Sequence, residues 1–196
     1  GTSVYDSPVM NASAHDLYMQ LLVAAACNTA AATLGDCYVA RAKQVENFDT
    51  AAFSYACGSL TGLFFATHSV SGDERTQTHF TFTRAAAEFS HADGLCVTFP
   101  NGEKKKYVNT SSERSKFDSS LCALRGGPLP PCRIDDSRRH IALIDQIQKR
   151  KVVDIAAVDR IDNGDLVWVP GLAERMTMAY DQGDLSEFFV TDGVME

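Results

Sequence analysis

Residues 94–109, GLCVTFPNGEKKKYVN, set Leu95, Val97 and Phe99 against Cys96 and Thr98, then Pro100-Asn101-Gly102, then three lysines. Alternation with period two marks a half-buried strand. Asn and Gly tolerate positive φ and suit a tight turn, and lysines suit an exposed or edge strand. The pattern predicts strands over 95–99 and 104–109. Upstream the period looks helical. Leu17, Leu21, Ala24 and Ala25 make one face of a helix predicted over 14–34, capped by Ser13 with Asp16 near its positive end. Gly35-Asp36 breaks it, and a second helical piece spans 38–45. Asp49 caps a third helix over 50–67, with Phe53, Ala56, Leu60, Leu63 and Phe64 on one stripe. Residues 69–77 read as polar loop and 80–90 as a fourth helix. Further on, Ile141, Ile144 and Ile147 predict a helix ending at Lys149-Arg150-Lys151. VVDIAAV (152–158) reads as a buried parallel-type strand. A turn at 162–165, a strand at 166–169, a helix at 171–182 and a short strand at 188–190 complete the layout. The predicted class is α/β: a helical subdomain over 1–92, then a β/α subdomain over 93–196 with a small, mostly parallel sheet and flanking helices.

Composition narrows this picture. A chain of 196 residues, 45% hydrophobic and 22% charged, can fill a core. A net charge of −7 argues against nucleic acid as partner, because phosphate binding wants a basic face. No apolar run approaches the roughly 18 residues of a membrane span. The absence of a starting Met and of a signal-like leader suggests a processed or trimmed chain. The six cysteines, at 27, 37, 57, 96, 122 and 132, show no C-x-x-C spacing. An even count without metal spacing predicts three disulfides, hence a secreted or extracellular chain, periplasmic if bacterial. Cys122 with Cys132, and Cys27 with Cys37, bracket short stretches that local bridges would staple. Free buried cysteines in a cytosolic protein are the alternative. Asn11-Ala12-Ser13 and Asn109-Thr110-Ser111 are glycosylation acceptor patterns.

The stretch FTRAAAEFSHADGLCVTFPNGEKKKYVNTSSERSKF resembles the centre of the ADP-ribosyl cyclase and cyclic ADP-ribose hydrolase family, through Ala87-Glu88, Asn101-Gly102 and Ser115-Lys116-Phe117. HIALIDQIQKRKV (140–152) is similar to the helix after a late cysteine in that family. The resemblance covers about half the chain. It implies a disulfide-stapled domain facing the outside of the cell, with Thr83, Arg84, Ser115 and Phe117 on a ligand-binding surface. It also implies a cleft at the strands' C-terminal ends, walled by residues 110–121. Where the family carries its essential glutamate this chain has Leu121, and Trp168 is its one tryptophan.

Cleavage of a nicotinamide–ribose bond wants a carboxylate beside the ribose. Glu113 and Asp118, on the stretch after the predicted hairpin, are the candidate catalytic acids. The sequence has no P-loop, G-x-S-x-G or G-x-G-x-x-G, and its five histidines show no metal-pair spacing. No cofactor is therefore expected from motifs, and each histidine reads as structural or exposed. Asp159, Asp162 and Asp165 read as a surface turn rather than a calcium loop, for want of the closing glutamate. The expected function is a secreted cyclase-like domain that has lost its catalytic carboxylate and binds an NAD-like nucleotide or a protein. An active NAD glycohydrolase or cyclase, and a periplasmic inhibitor or immunity-type protein, are the alternatives.

Overall fold

The alanine-rich stretch read as a third helix is a β-hairpin. The computed structural model describes residues 7–27, 30–72, 76–90, 92–108, 113–129, 133–164, 166–186 and 188. In it β1 (Ala32–Arg41), β2 (Thr50–Cys57) and β3 (Leu60–Thr67) pair antiparallel, and β2–β3 keeps register from Thr50↔Thr67 to Cys57↔Leu60. Gly58, at φ 61°, opens the two-residue turn between them, as positive φ in a tight hairpin requires. β2 is buried along most of both faces. A strand covered on both sides carries no hydrophobic alternation, so TAAFSYAC looked helical. Gly35-Asp36, read as a helix break, is a bulge in β1 that sets two residues opposite Ser54. The Asp36 amide donates to Ser54 Oγ at 3.0 Å. A Cβ on Gly35 would stand 2.4 Å from that oxygen, so any larger residue there would have to displace the Ser54 hydroxyl.

The chain divides into two units, residues 1–73 with 135–196, and residues 74–134. In the first, a four-stranded sheet runs β3-β2-β1-β8, where β8 (Val153–Asp154) is parallel to β1. The sheet is thus mixed and mainly antiparallel, not mostly parallel. The predicted strand over 152–158 keeps only two paired residues, and 157–159 form a 3-10 turn. Helices α1 (Ala14–Cys27) and α3 (Arg138–Ile147) cover one face, where Leu17, Leu21, Phe53, Leu143 and Ile147 are buried. On the other face α4 (Leu172–Gln182) and Phe188 bury Leu172, Met176 and Ala179 against Ala52, Tyr38 and Phe65. Each fully buried Phe or Leu contributes roughly 1.5–3 kcal/mol. α3 buries His140, Leu143, Ile144 and Ile147, one face at helical spacing. Ile141 lies on its solvent side. β9 (Ile161–Asp162) and β10 (Val167–Trp168) close a small hairpin. The predicted strand over 188–190 lies mostly outside the described residues.

The second unit is an antiparallel sheet in sequence order: β4 (Gln77–Phe82), β5 (Ala85–Ser90), β6 (Gly94–Thr98) and β7 (Lys104–Tyr107). The predicted helix over 80–90 is the β4–β5 hairpin. The turn predicted at Asn101-Gly102 is present: Phe99 N donates to Glu103 O, Gly102 N to Phe99 O, and Glu103 N to Asn101 Oδ1. Helix α2 (Glu113–Leu124) follows, where the sequence suggested a cleft-forming loop. The α/β class holds. The helical N-terminal half does not, because only α1 is helical among the described residues before residue 113.

The disulfide framework is also corrected. Cys27, Cys37, Cys57, Cys96 and Cys122 form no disulfide, and Cys132 lies outside the described residues. Cys37 faces Phe53 across the ladder, and Cys57 faces Ala32 and Leu60. Strand pairing spaces these cysteines apart as packing residues, and the argument for an exported chain loses its premise.

Candidate functional site

Two polar centres stand in the first unit. One closes the end of the sheet. Asp49, 3% exposed, accepts the amides of Ala42 at 2.8 Å and Lys43 at 2.7 Å through Oδ2. Its Oδ1 accepts the Thr50 hydroxyl at 3.0 Å, and Thr50 meets Thr67 at 2.9 Å. Lys43 Nζ donates to the His68 carbonyl and Arg160 to the Ala42 carbonyl. Arg41 binds Asp154 at 2.7 Å and the carbonyls of Val45 and Glu46. The β1–β2 connection is thereby tied to β3 and β8. Every partner of Asp49 belongs to the chain itself, so this centre holds the fold and offers no free group to a ligand.

The other centre lies where α1 and α3 meet. Residues 7–13 form turns, with Met10 N and Asn11 N donating to Ser7 O, and lead into α1. His15 is exposed on the first turn of α1. His140, from the first turn of α3, is 9% exposed. The ring of Tyr18 stands edge-on to His140 with centroids 6.1 Å apart. Burial holds the His140 pKa below the usual histidine value; a hydrogen bond to the Val9 backbone opposes this, and the charge of His15 adds to it. Nε2 of His140 is buried without a hydrogen-bond partner. The charge of His15 thus reaches the His140 ring from α1 to α3.

The two rings are 125 positions apart in sequence. Motif spacing could not bring them together, and both read as structural or solvated. The one available signal was His140 on the apolar stripe of α3.

The residues singled out from sequence are distributed differently. Thr83 and Arg84 are the exposed two-residue turn between β4 and β5. Glu113 begins α2. Asp118 lies on the same helix, exposed, 3.7 Å from Arg114 one turn earlier. Ser115 accepts the Ser119 hydroxyl through its carbonyl at 2.8 Å, and Phe117 is 65% exposed. Ser115, Phe117 and Asp118 thus stand on a helix rather than on a loop. Asp162 and Asn163 accept the amides of Gly164 and Leu166, as a surface turn does. Among the described residues no group of three His, Cys, Asp or Glu side chains could share a metal ion, and no helix is long and apolar enough to cross a membrane.

A shallow groove of about 510 Å³ crosses the other end of the β1–β2–β3 sheet, lined by Thr33, Gly35, Ser54, Thr61 and Gly62 among others. It carries no charged side chain.

No family model and no curated protein matches the chain. Solved structures do. UDP-N-acetylglucosamine 3-dehydrogenase GnnA from Acidithiobacillus ferrooxidans aligns at TM-score 0.59 and 16% identity, over 72% of this chain and 46% of that one. The WlbA dehydrogenase from Bordetella pertussis, solved with NADH and UDP-GlcNAcA, aligns at TM-score 0.54 and 13% identity, over 72% and 41%. KijD10, a 3-ketoreductase from Actinomadura kijaniata solved with TDP-benzene and NADP, gives 0.53 and 10%, over 76% and 48%. The chain spans about half the length of these structures. At such identities the likeness is one of fold. It overturns the resemblance to ADP-ribosyl cyclases and NAD glycohydrolases, and with it the reading as a secreted cyclase-like binding module, because the fold neighbours are oxidoreductases.

Proposed function

We propose that this chain is the sugar-side portion of an oxidoreductase acting on nucleotide-linked sugars. The observation that carries the reading is the fold likeness to GnnA over 72% of the chain. Its name is that of a dehydrogenase of UDP-N-acetylglucosamine; the WlbA and KijD10 structures hold a nicotinamide dinucleotide together with a nucleotide-linked ligand.

The residues of this chain do not fit the dinucleotide. A pyrophosphate is held by a glycine-rich turn between a parallel strand and a helix. The sequence has no G-x-G-x-x-G, and the parallel pairing of β1 with β8 extends over two residues. The dinucleotide therefore belongs to a partner domain. What this chain offers is a group for the sugar hydroxyl. Oxidising a secondary alcohol to a ketone releases a proton, and the reverse reaction takes one up. His15, exposed on the first turn of α1, is assigned to hold that proton. An NAD-like nucleotide as the chain's own ligand gives way to the nucleotide of a nucleotide-linked sugar.

The test is calorimetric titration of the purified chain with UDP-N-acetylglucosamine and, separately, with NADH, alongside histidine-ring NMR. The expected outcome is heat and movement of the His15 ring signals with the sugar nucleotide, and neither with NADH. Binding of NADH without the sugar nucleotide would overturn the assignment.

A further inference from the structure

We propose that the β4–β7 sheet carries an interface between two copies of this chain, in which the phenylalanine ridge of β4 in each copy fills the alanine trough of β5 in the other. This interface is independent of the sugar-side reading and stands without it.

The strand register sorts the sheet into two faces, because directly opposed residues share a face and successive residues alternate. Phe80 stands opposite Ala87 and Ala87 opposite Val97; Phe82 stands opposite Ala85, and Phe89 opposite Leu95. Leu95 in turn faces Tyr107. The other face takes His79 with Glu88, Thr98 with Lys104 and Cys96 with Lys106. One face is thus apolar and the other polar, the pattern of an antiparallel sheet that is packed on one side only. The apolar face is nevertheless open. Phe82 is 40% exposed and Tyr107 54%, and Phe80, Ala85, Leu95 and Val97 are half-buried. Helix α2 of the same unit leaves its own Phe117 and Leu124 exposed, so these apolar side chains do not close the face.

Relief, charge and size select a second copy as the occupant. Phe80 and Phe82 stack at 6.1 Å as a ridge on β4, and Ala85 and Ala87 make a trough beside it on β5. A large ridge next to a small-residue trough is self-complementary. A two-fold axis near the boundary of the two strands lays each ridge in the partner's trough, and the contact closes at two copies. Lys105 is the one charged strand residue on this face; it lies on the outer strand β7, its Nζ 5.3 Å from the centre of the Phe99 ring. A strongly charged partner finds little to hold there, and a like face meets little repulsion. At about 3.4 Å per residue and about 4.8 Å between strands, the face measures on the order of 20 by 20 Å, about 400 Å² before side-chain relief is added. Two such faces bury about 800 Å² or more in all, at the small end of specific interfaces, so the pair should separate on dilution.

The test is sedimentation velocity of the full 196-residue chain over a dilution series, with variants on either face of β4. The unaltered chain should sediment as a dimer at high concentration and as a monomer on dilution, with no larger species. Phe82→Glu should hold it monomeric throughout, whereas Thr81→Glu, one residue along on the polar face, should leave the dimer unchanged. Ala85→Phe fills the trough and should raise the dissociation constant about tenfold or more. Isotope-filtered NMR of mixed labelled and unlabelled chain needs no variant, and decides the matter even if Phe82→Glu fails to fold. Phe82 ring protons of one copy should show contacts to the Ala85 methyl of the other. A monomer at every concentration, its apolar face bare or covered by another segment of the same chain, would overturn the proposal. So would a dimer without that contact, a dimer that Phe82→Glu leaves intact or Thr81→Glu breaks as readily, or growth into open-ended oligomers.

Discussion

Replacing Asp49 with alanine removes three hydrogen bonds from a site almost closed to water. The carboxylate accepts Ala42 N, Lys43 N and the Thr50 hydroxyl at 2.8, 2.7 and 3.0 Å. Ala42 is fully buried, so its amide is stranded without water when the acceptor goes. Each stranded buried donor costs about 1–3 kcal/mol. Lys43 N is partly buried and recovers some of its loss from solvent, and the Thr50 hydroxyl keeps Thr67 at 2.9 Å. The expected loss is about 3–5 kcal/mol, a large share of the roughly 5–15 kcal/mol of a typical fold. The assay is a urea unfolding curve at unchanged slope, together with amide exchange at Ala42 and Lys43, whose protection should fall first. Asp118→Ala is the control: an exposed carboxylate paired with Arg114 on the surface of α2 should cost under about 1 kcal/mol. A loss below about 1 kcal/mol for Asp49→Ala would refute the view that this carboxylate holds the sheet end together.

Gly62→Ala should cost about 1–3 kcal/mol by overpacking, since its Cβ would meet the Tyr55 ring at 2.3 Å and Tyr55 is held by Gln20 at 3.0 Å; a thermal melt matching the unaltered chain would contradict it. Because the His140 pKa is lowered in the fold from 6.5, the unfolded chain binds the proton more readily. Its contribution is therefore full above pH 6.5 and is lost as pH falls below it, and urea midpoints across that window should fall less in His140→Asn. Thiol titration of unreduced, unfolded protein should find the five described cysteines reactive. In the native state Cys37, its thiol pushed up to about 11 chiefly by burial, should react far more slowly than exposed Cys27 and Cys122; equal rates would count against its burial.

Local chemistry is legible in a chain where a short segment decides its own shape. The Asn101-Gly102 turn, the strands beside it, the start of α1 after Ser13, and the helices near 138–147 and 172–182 all follow from spacing and turn residues, because their hydrogen bonds close within a few residues. The helical readings of 38–45 and 50–67 failed for a tertiary reason. β2 is covered by α1 and α3 on one face and α4 on the other, so both its faces are apolar and its period vanishes. Whether the cysteines pair was likewise decided by the ladder, which sets Cys37 opposite Phe53 and Cys57 opposite Leu60. The stretch from Glu113 to Leu124 read as a loop and is α2, and Asp118 lies on its exposed side. The meeting of Tyr18 with His140, and the closure of Asp49 over the β1–β2 connection, depend on which helices share a face and which strands pair. Those choices are made by burying apolar area across more than a hundred residues, and no local pattern along the chain encodes them.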